Sequence, residues 1–295
     1  MAIRVIDDSK LQDIAVAIQG KDSGGTMTVE QMPTRIAEIP TGGEVLFSRD
    51  GRQYTRTVEI PNNVTTIGIY AFSGCTGLTN ITLPDSLTTI NQNAFAGCTG
   101  LTNITFPNSL TTIDQNTFGG CTSLTEIDLK NVTNFSGNFH FQRCSSLRKV
   151  IGKKVTSTNH SFCYCTALQT AILSNVSTIG QNTFLATALE NVDCRNVDRI
   201  SLGVFNNCLQ LSLIDLTSRA TPTTLDNTNA FNNTNNTWIA VVANDTIKSD
   251  FQNATNWSTF ASHFKTIAEV EAEVGMTYDA YYYQLFGHAR NEVAV

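Results

Sequence analysis

The sequence predicts a β-rich solenoid of stacked short parallel strands, and three observations predict it. First, from Ile60 to Leu129 the chain runs through three near-identical lines, IPNNVTTIGIYAFSGCTGLTNIT, LPDSLTTINQNAFAGCTGLTNIT and FPNSLTTIDQNTFGGCTSLTEID. Cys75, Cys98 and Cys121 recur every 23 residues, as do Phe72, Phe95 and Phe118, and Leu78, Leu101 and Leu124. So short a unit cannot bury its own apolar face, and a fixed period of this size means coils stacked on one another. Second, Leu78-Thr-Asn-Ile81-Thr-Leu83 alternates as a half-buried strand, and Pro84 ends it because proline cannot donate to a ladder. Third, only 15% of residues are charged while Thr and Asn are conspicuous. That surface suits outward side chains that ladder from coil to coil.

Composition also excludes classes of function. A net charge of −6 supplies no basic footprint for nucleic acid or an anionic membrane. No stretch approaches the roughly 18 apolar residues of a membrane helix, so no membrane insertion is expected. The start of the chain, MAIRVIDDSKLQD, shows no basic segment followed by an apolar one, so no ordinary signal peptide is expected. Of the eight cysteines, Cys75, Cys98, Cys121, Cys144, Cys165 and Cys208 sit on the repeat grid. A Cys recurring at one register is a small core residue, and side chains projecting in parallel do not aim at each other for bridging, so buried thiols are expected.

Taken in order, residues 1–43 form a small helical docking module. Ser9 caps a helix with Leu11, Ile14, Ala15 and Ile18 at helical spacing. KDSGGT turns the chain, and Thr28 with Gln31 makes a capping box for a second helix unless Pro33 marks its start. Helices this short need a partner, either the first coil or another protein. Residues 44–61 read as a capping hairpin with Asp50-Gly51 at its turn. Its second strand aligns with the repeat, Val58 falling where Ile81 falls. Residues 62–231 are the coils. In each, a second apolar pair such as Leu87 and Ile90 lines the opposite wall, and the turn from Asn91 to Gly97 drives Phe95 inward. The anchors continue as Phe141/Cys144, Phe162/Cys165, Phe184/Thr187, Phe205/Cys208 and Phe231, which counts eight coils. The period shortens after Cys144, so curvature should change there. Residues 232–268 are a carboxy-terminal cap, with a helix from Thr246 to Asn253 and Trp257 plugging the open core. Residues 269–295 are a tail with a helical run AEVEAEVG and the cluster Tyr278, Tyr281, Tyr282 and Tyr283, which either binds or packs back.

The pattern Ala-Phe-x-x-Cys-Thr-x-Leu-Thr-x-Ile-Thr-Leu-Pro resembles the BspA-type leucine-rich repeat, frequent in surface proteins of anaerobic host-associated bacteria. The resemblance spans residues 54 to about 268 and is strongest through Leu129. It makes the fold class a β-rich leucine-rich-repeat solenoid with turns and short 3-10 segments, a small helical module at the amino end and a helical cap. The cap also resembles the family's, departing from it with Val241-Val242-Ala243 where Tyr-Val-Pro is usual. Separately, KLQDIAVAIQGKDSGGTMTVEQMPTRIAEI resembles a short amino-terminal module common in tail and other structural proteins of phages and prophages infecting gut Firmicutes.

Four histidines give little material for catalysis. The densest cluster, His160-Ser-Phe-Cys163-Tyr-Cys165 with His140 one coil earlier, lacks the convergence that metal ligation needs. The sequence holds no phosphate loop, nucleophile elbow or paired catalytic carboxylates. No enzyme activity, cofactor or metal is expected. The outward strand positions carry more information. They read Asn80/Thr82, Asn103/Thr105, Glu126/Asp128, Lys149/Ile151, Thr170/Ile172, Asn191/Asp193 and Leu213/Asp215. An acidic pair thus meets a basic and apolar stretch, with Arg143, Arg148, Lys153 and Lys154 nearby. The expected binding face is Glu126, Asp128, Arg148, Lys149, Ile151, Lys153, Thr170 and Ile172, and its ligand a protein or glycan. The reading is a non-enzymatic adhesion or recognition protein, extracellular or virion-associated, whose amino-terminal module docks to a phage or prophage structure. The alternatives are a bacterial cell-surface adhesin contacting host proteins and, in a different class, an enzyme or metal-binding protein.

Overall fold

The computed structural model describes residues 57–60 and 62–290, together with a strand at Ile18–Gly20 (β1). The two expected amino-terminal helices and the first arm of the hairpin lie outside the described residues. Ile18 itself is a correction: it belongs to β1, which pairs antiparallel with Val64–Ile67 (β3). An open sheet edge offers backbone partners that a helix too short to stand alone does not. The chain divides into two units, residues 1–147 and 148–295.

In the first unit, strands Thr57–Glu59 (β2), β3, Asn80–Thr82 (β4), Thr89–Ile90 (β5), Thr112–Ile113 (β6), Glu126–Asp128 (β7) and Asn134–Phe135 (β8) build two walls of a coil stack. One wall is the parallel ladder β3-β5-β6-β8, in which Ile67, Ile90, Ile113 and Phe135 are register partners. On the other, β2 pairs parallel with β4, Val58 opposite Ile81, and Thr82 bridges to Thr105. β2 therefore pairs with the repeat at the register that aligning Val58 with Ile81 predicts.

Between the walls stand the Phe anchors. Phe72, Phe95, Phe118 and Phe141 stack with centroids 5.1, 5.2 and 5.1 Å apart, and each is at most 1% exposed. Burying each ring contributes roughly 1.5–3 kcal/mol. Each anchor is held between two left-handed residues, one two positions before it and one two after. Tyr70/Gly74, Asn93/Gly97, Asn116/Gly120 and Phe139/Arg143 all have positive φ. Asn and Gly tolerate that conformation at low cost, which is why the regular coils carry Asn-x-Phe-x-Gly. The Cys slot has a polar reason as well. Cys98, Cys121 and Cys144 donate their thiol hydrogens to the carbonyls of Phe72, Phe95 and Phe118 in the preceding coil, at 3.0 to 3.2 Å.

The second unit repeats the plan with Lys149–Ile151 (β9), Ser157–Thr158 (β10), Thr170–Ile172 (β11), Thr178–Ile179 (β12), Asn191–Asp193 (β13), Arg199–Ile200 (β14), Leu213–Asp215 (β15) and Thr224–Leu225 (β16). Its inner wall is β10-β12-β14-β16, and its outer wall runs β9-β11-β13-β15 and on through Ile239–Val242 (β17) and Phe264–Thr266 (β18), all parallel. Phe162, Phe184 and Phe205 stack at 5.9 Å, a wider step than in the 23-residue coils. Thr187, in the Cys slot, bonds its own Phe184 carbonyl at 3.0 Å and meets Cys208 Sγ at 3.3 Å.

The end of this stack is closed by aromatics. Trp238 lies 4.5 Å from Phe231 with the rings 10° from parallel. Trp257 is fully buried among Phe231, Phe251 and Phe264 and donates its indole hydrogen to the Thr223 carbonyl at 2.6 Å. The expected helix is Asp245–Asn253 (α1), capped by Asn244, and Trp257–His263 is 3-10. Ile267–Val274 (α2) starts on a Thr266–Glu269 capping box and ends at the left-handed Gly275; Tyr278–Phe286 (α3) follows, ending at the left-handed Gly287.

Candidate recognition face

Two outward strand surfaces result, and they differ. In the first unit β4 and β7 show an exposed-buried-exposed pattern: Ile81 and Ile127 point inward, while Asn80, Thr82, Glu126 and Asp128 face solvent. Asn103 and Thr105 are exposed between them. The backbone places these side chains: Thr82 bridges to Thr105, the Thr102 and Thr125 N–H groups donate to the Thr79 and Thr102 carbonyls, and a strand alternates.

In the second unit the outward residues are covered by the chain's own tail. Ile172, Leu213, Val241, Val270, Tyr278, Tyr282 and Phe286 form one buried cluster, with Ile151, Ile239, Ile267, Tyr281 and Leu285 packed against it. Tyr278, Tyr282 and Phe286 fall four residues apart on α3, so one face of the helix lies on the sheet. This corrects the expected exposure of several face residues. Ile172 is 0% exposed rather than outward to solvent, and Ile151 and Thr170 are half-buried. Lys149 is half-buried too, and its ammonium donates to the Phe286 carbonyl at 2.9 Å, satisfying the carboxy end of α3. Lys153 is half-buried, whereas Arg148 is exposed.

Beneath α3 lies a polar group that the pattern alone did not single out. In-register pairing of β13 and β15 puts Asp193 directly opposite Asp215, and both are 0% exposed. Like charges in such a pair repel. Arg195 answers Asp193 with a two-pronged contact, Nε to Oδ1 at 3.0 Å and Nη2 to Oδ2 at 2.9 Å, and also donates to the Arg290 carbonyl. Burial opposes the Arg195 charge, yet its bond to Asp193 and that carboxylate's charge hold its pKa above the usual range. Tyr282 donates its hydroxyl to Asp193 Oδ2 at 2.8 Å with Arg195 5.1 Å from its ring centre. Burial, then the Asp193 charge, pushes the Tyr282 phenol up.

The histidine–cysteine cluster does not converge. Cys163 is buried and its thiol donates to the His160 carbonyl, while the His160 ring meets Asn159 Oδ1 at 3.1 Å and Asn182 Nδ2 at 3.2 Å. Among the described residues no group of three or more His, Cys, Asp or Glu is placed to hold a metal ion. Nor, among them, is any helix long and apolar enough to cross a membrane.

A family model described as the BspA type leucine-rich repeat region matches residues 50–160 and 151–253, in six copies. The chain belongs to this family. No curated protein matches it. Among solved structures it is similar to a leucine-rich repeat protein of T. pallidum, 29% identical over 52% of this chain and 64% of that one, with a TM-score of 0.40. A leucine-rich repeat protein of Bacteroides ovatus matches at 20% identity over 63% of this chain and 62% of that one, TM-score 0.41. A leucine-rich cell surface protein of Faecalibacterium prausnitzii matches at 22% identity over 54% and 59%, TM-score 0.37. The chain thus spans less than two thirds of the length of each.

Proposed function

We propose that this chain is a non-enzymatic recognition protein that binds a protein or glycan through the outward strand face of its first unit. The observation that carries the reading is the exposed row Asn80, Thr82, Asn103, Thr105, Glu126 and Asp128 on successive coils. Amide, hydroxyl and carboxylate groups repeating coil by coil suit hydrogen bonding to sugars or to an extended chain, and the Glu126/Asp128 end favours a cationic or polyhydroxylated partner. Arg148, exposed in the second unit, is a separate candidate contact. In keeping with the resemblance of its first residues, the amino-terminal segment docks to a phage or prophage particle, and the repeats face a bacterial or host surface.

The test is an array of defined glycans and purified surface proteins, probed with the wild-type chain and with Asn80→Ala/Asn103→Ala and Glu126→Lys/Asp128→Lys variants. A ligand lost in these variants and kept in Arg148→Ala supports the assignment. A ligand bound equally by all would sink it. Sedimentation of the chain with intact particles, lost on deleting residues 1–43, tests the docking role.

A further inference from the structure

The buried carboxylate Asp215 has an incomplete environment. Its Oδ1 accepts the Thr217 backbone N–H at 2.9 Å, but its Oδ2 is among the buried side-chain atoms with no hydrogen-bond partner, as is the Tyr278 hydroxyl. Arg195 is committed to Asp193 and comes no closer to Asp215 Oδ2 than 4.0 Å. Two fully buried aspartates therefore share one guanidinium, and a carboxylate with one oxygen left without a donor is costly in a dry site. Both Asp193 oxygens are already engaged by Arg195, Ser174 and Tyr282, which leaves too few oxygens to hold a cation in the second position. A proton is the smaller answer.

We propose that Asp215 is a neutral carboxylic acid beneath the seated helix α3, and that α3 is a pH-sensitive cover over the outward strand face of the second unit, released as pH rises. The groups facing Asp215 pull both ways: the Thr217 bonds and the Arg195 charge favour the carboxylate, and burial with the Asp193 charge outweighs them. Asp193, Cys194 and Arg195 come from β13 and the residues after it, and Tyr278 and Tyr282 from α3. His288 and Arg290 follow α3, and Lys265 stands two strands away in the same row. Burial first, and the Asp193 charge second, push Asp215 up to about 6 from an ordinary 3.8. The sign follows. A carboxyl whose closed-state pKa is raised favours closure fully below 3.8, and that contribution is lost as pH rises through about 6. Opening returns Asp215 to water and its ordinary pKa, so the opening equilibrium should grow by roughly tens of fold from pH 4 to pH 7. His288, whose pKa burial lowers, acts in the opposite direction.

Hydrogen exchange of the α3 amides in the full chain, corrected for intrinsic rates, is compared between wild type and Asp215→Asn from pH 4 to pH 7. His288 is present in both, so their ratio isolates Asp215. We expect wild-type opening to rise relative to the variant by roughly tens of fold over that range. A constant ratio overturns the proposal, as does α3 protection in wild type that rises on adding calcium or sodium ions at pH 7. Should Asp215→Asn fail to fold, the carboxyl ¹³C resonance of Asp215 in the wild-type protein decides. A midpoint near 6 supports the proposal, and a carboxylate still ionised at pH 4 overturns it.

Discussion

Tyr282 donates its hydroxyl to Asp193 Oδ2 at 2.8 Å, tying the last helix to a strand 89 residues earlier in the chain. The bond ends on a fully buried carboxylate, where a lost donor is felt as the desolvation of a charge rather than as one hydrogen bond among many. Tyr282→Phe keeps the ring in the apolar cluster and removes only the hydroxyl, whose other contacts, with Arg195 Nη2 and His288 Nε2, are longer at 3.4 and 3.5 Å. The variant should lose about 1.5–3 kcal/mol, read as a lower urea midpoint together with faster exchange in α3. An unchanged midpoint would mean that ring burial alone holds the helix.

The Phe column makes a different prediction, since its rings touch other rings on both sides. Phe95 stands 5.1 Å from Phe72 and 5.2 Å from Phe118, with the planes within 2° of parallel. Phe95→Ala leaves a cavity between two rings that the backbone ladder prevents from closing. The expected cost is about 3–5 kcal/mol, measured by chemical denaturation. Phe118→Ala should behave alike, because Phe95 and Phe141 flank it at the same spacing.

That column was legible in the sequence because its cause is local and repeated: the same Phe, Cys and Leu recur at one register, and stacking demands little else. The cover on the second unit was legible only in part: the tyrosine cluster offered packing back as one reading, but not the surface it packs on. Alternation assigns Ile172, Asp193, Leu213 and Asp215 to the outward side of their strands, and it does so whether water or a helix lies beyond. A signal was present in the apolar residues at outward positions, Ile172 and Leu213, and in Tyr278, Tyr282 and Phe286 at helical spacing. Matching the two needs tertiary information, and the register that sets Asp193 against Asp215 only becomes a problem once both are buried. Trp238 was missed for a related reason. It lies 7 residues beyond Phe231, off the repeat period, yet folds back to extend the ring stack.

The left-handed positions after each Phe predict substitutions of opposite sign. Gly97 has φ +73 and room for a Cβ, which would meet the Gly74 backbone at an ordinary contact distance of 3.8 Å. Gly97→Ala therefore isolates the backbone cost. Ala186 occupies the corresponding position with φ 57, fixed by its N–H bond to the Asn206 carbonyl at 2.8 Å. An L-residue in this conformation costs about 1–2 kcal/mol, partly offset by the entropy glycine loses on folding. Gly97→Ala should destabilise by about 0.5–1 kcal/mol and Ala186→Gly stabilise by a similar amount. Thermal unfolding of the two variants beside wild type checks both signs, and a shared sign would contradict the argument.

His140 should make the first unit sensitive to acid. The side chain is 0% exposed, stacks on Phe135 at 4.3 Å and meets the Ser136 carbonyl through Nε2 at 2.9 Å. Burial lowers its pKa from 6.5 to about 4, against the smaller upward pull of the Ser136 carbonyl and the Asp114 charge. A histidine depressed in this way contributes stability that is complete above 6.5 and is lost as pH falls toward 4. The loss amounts to about 3 kcal/mol if the full shift is expressed. His140→Phe preserves the stack on Phe135 and removes the titration. Urea midpoints at pH 7 and pH 4 should therefore fall further apart in wild type than in His140→Phe. If acid lowers both midpoints equally, other groups govern the acid limb.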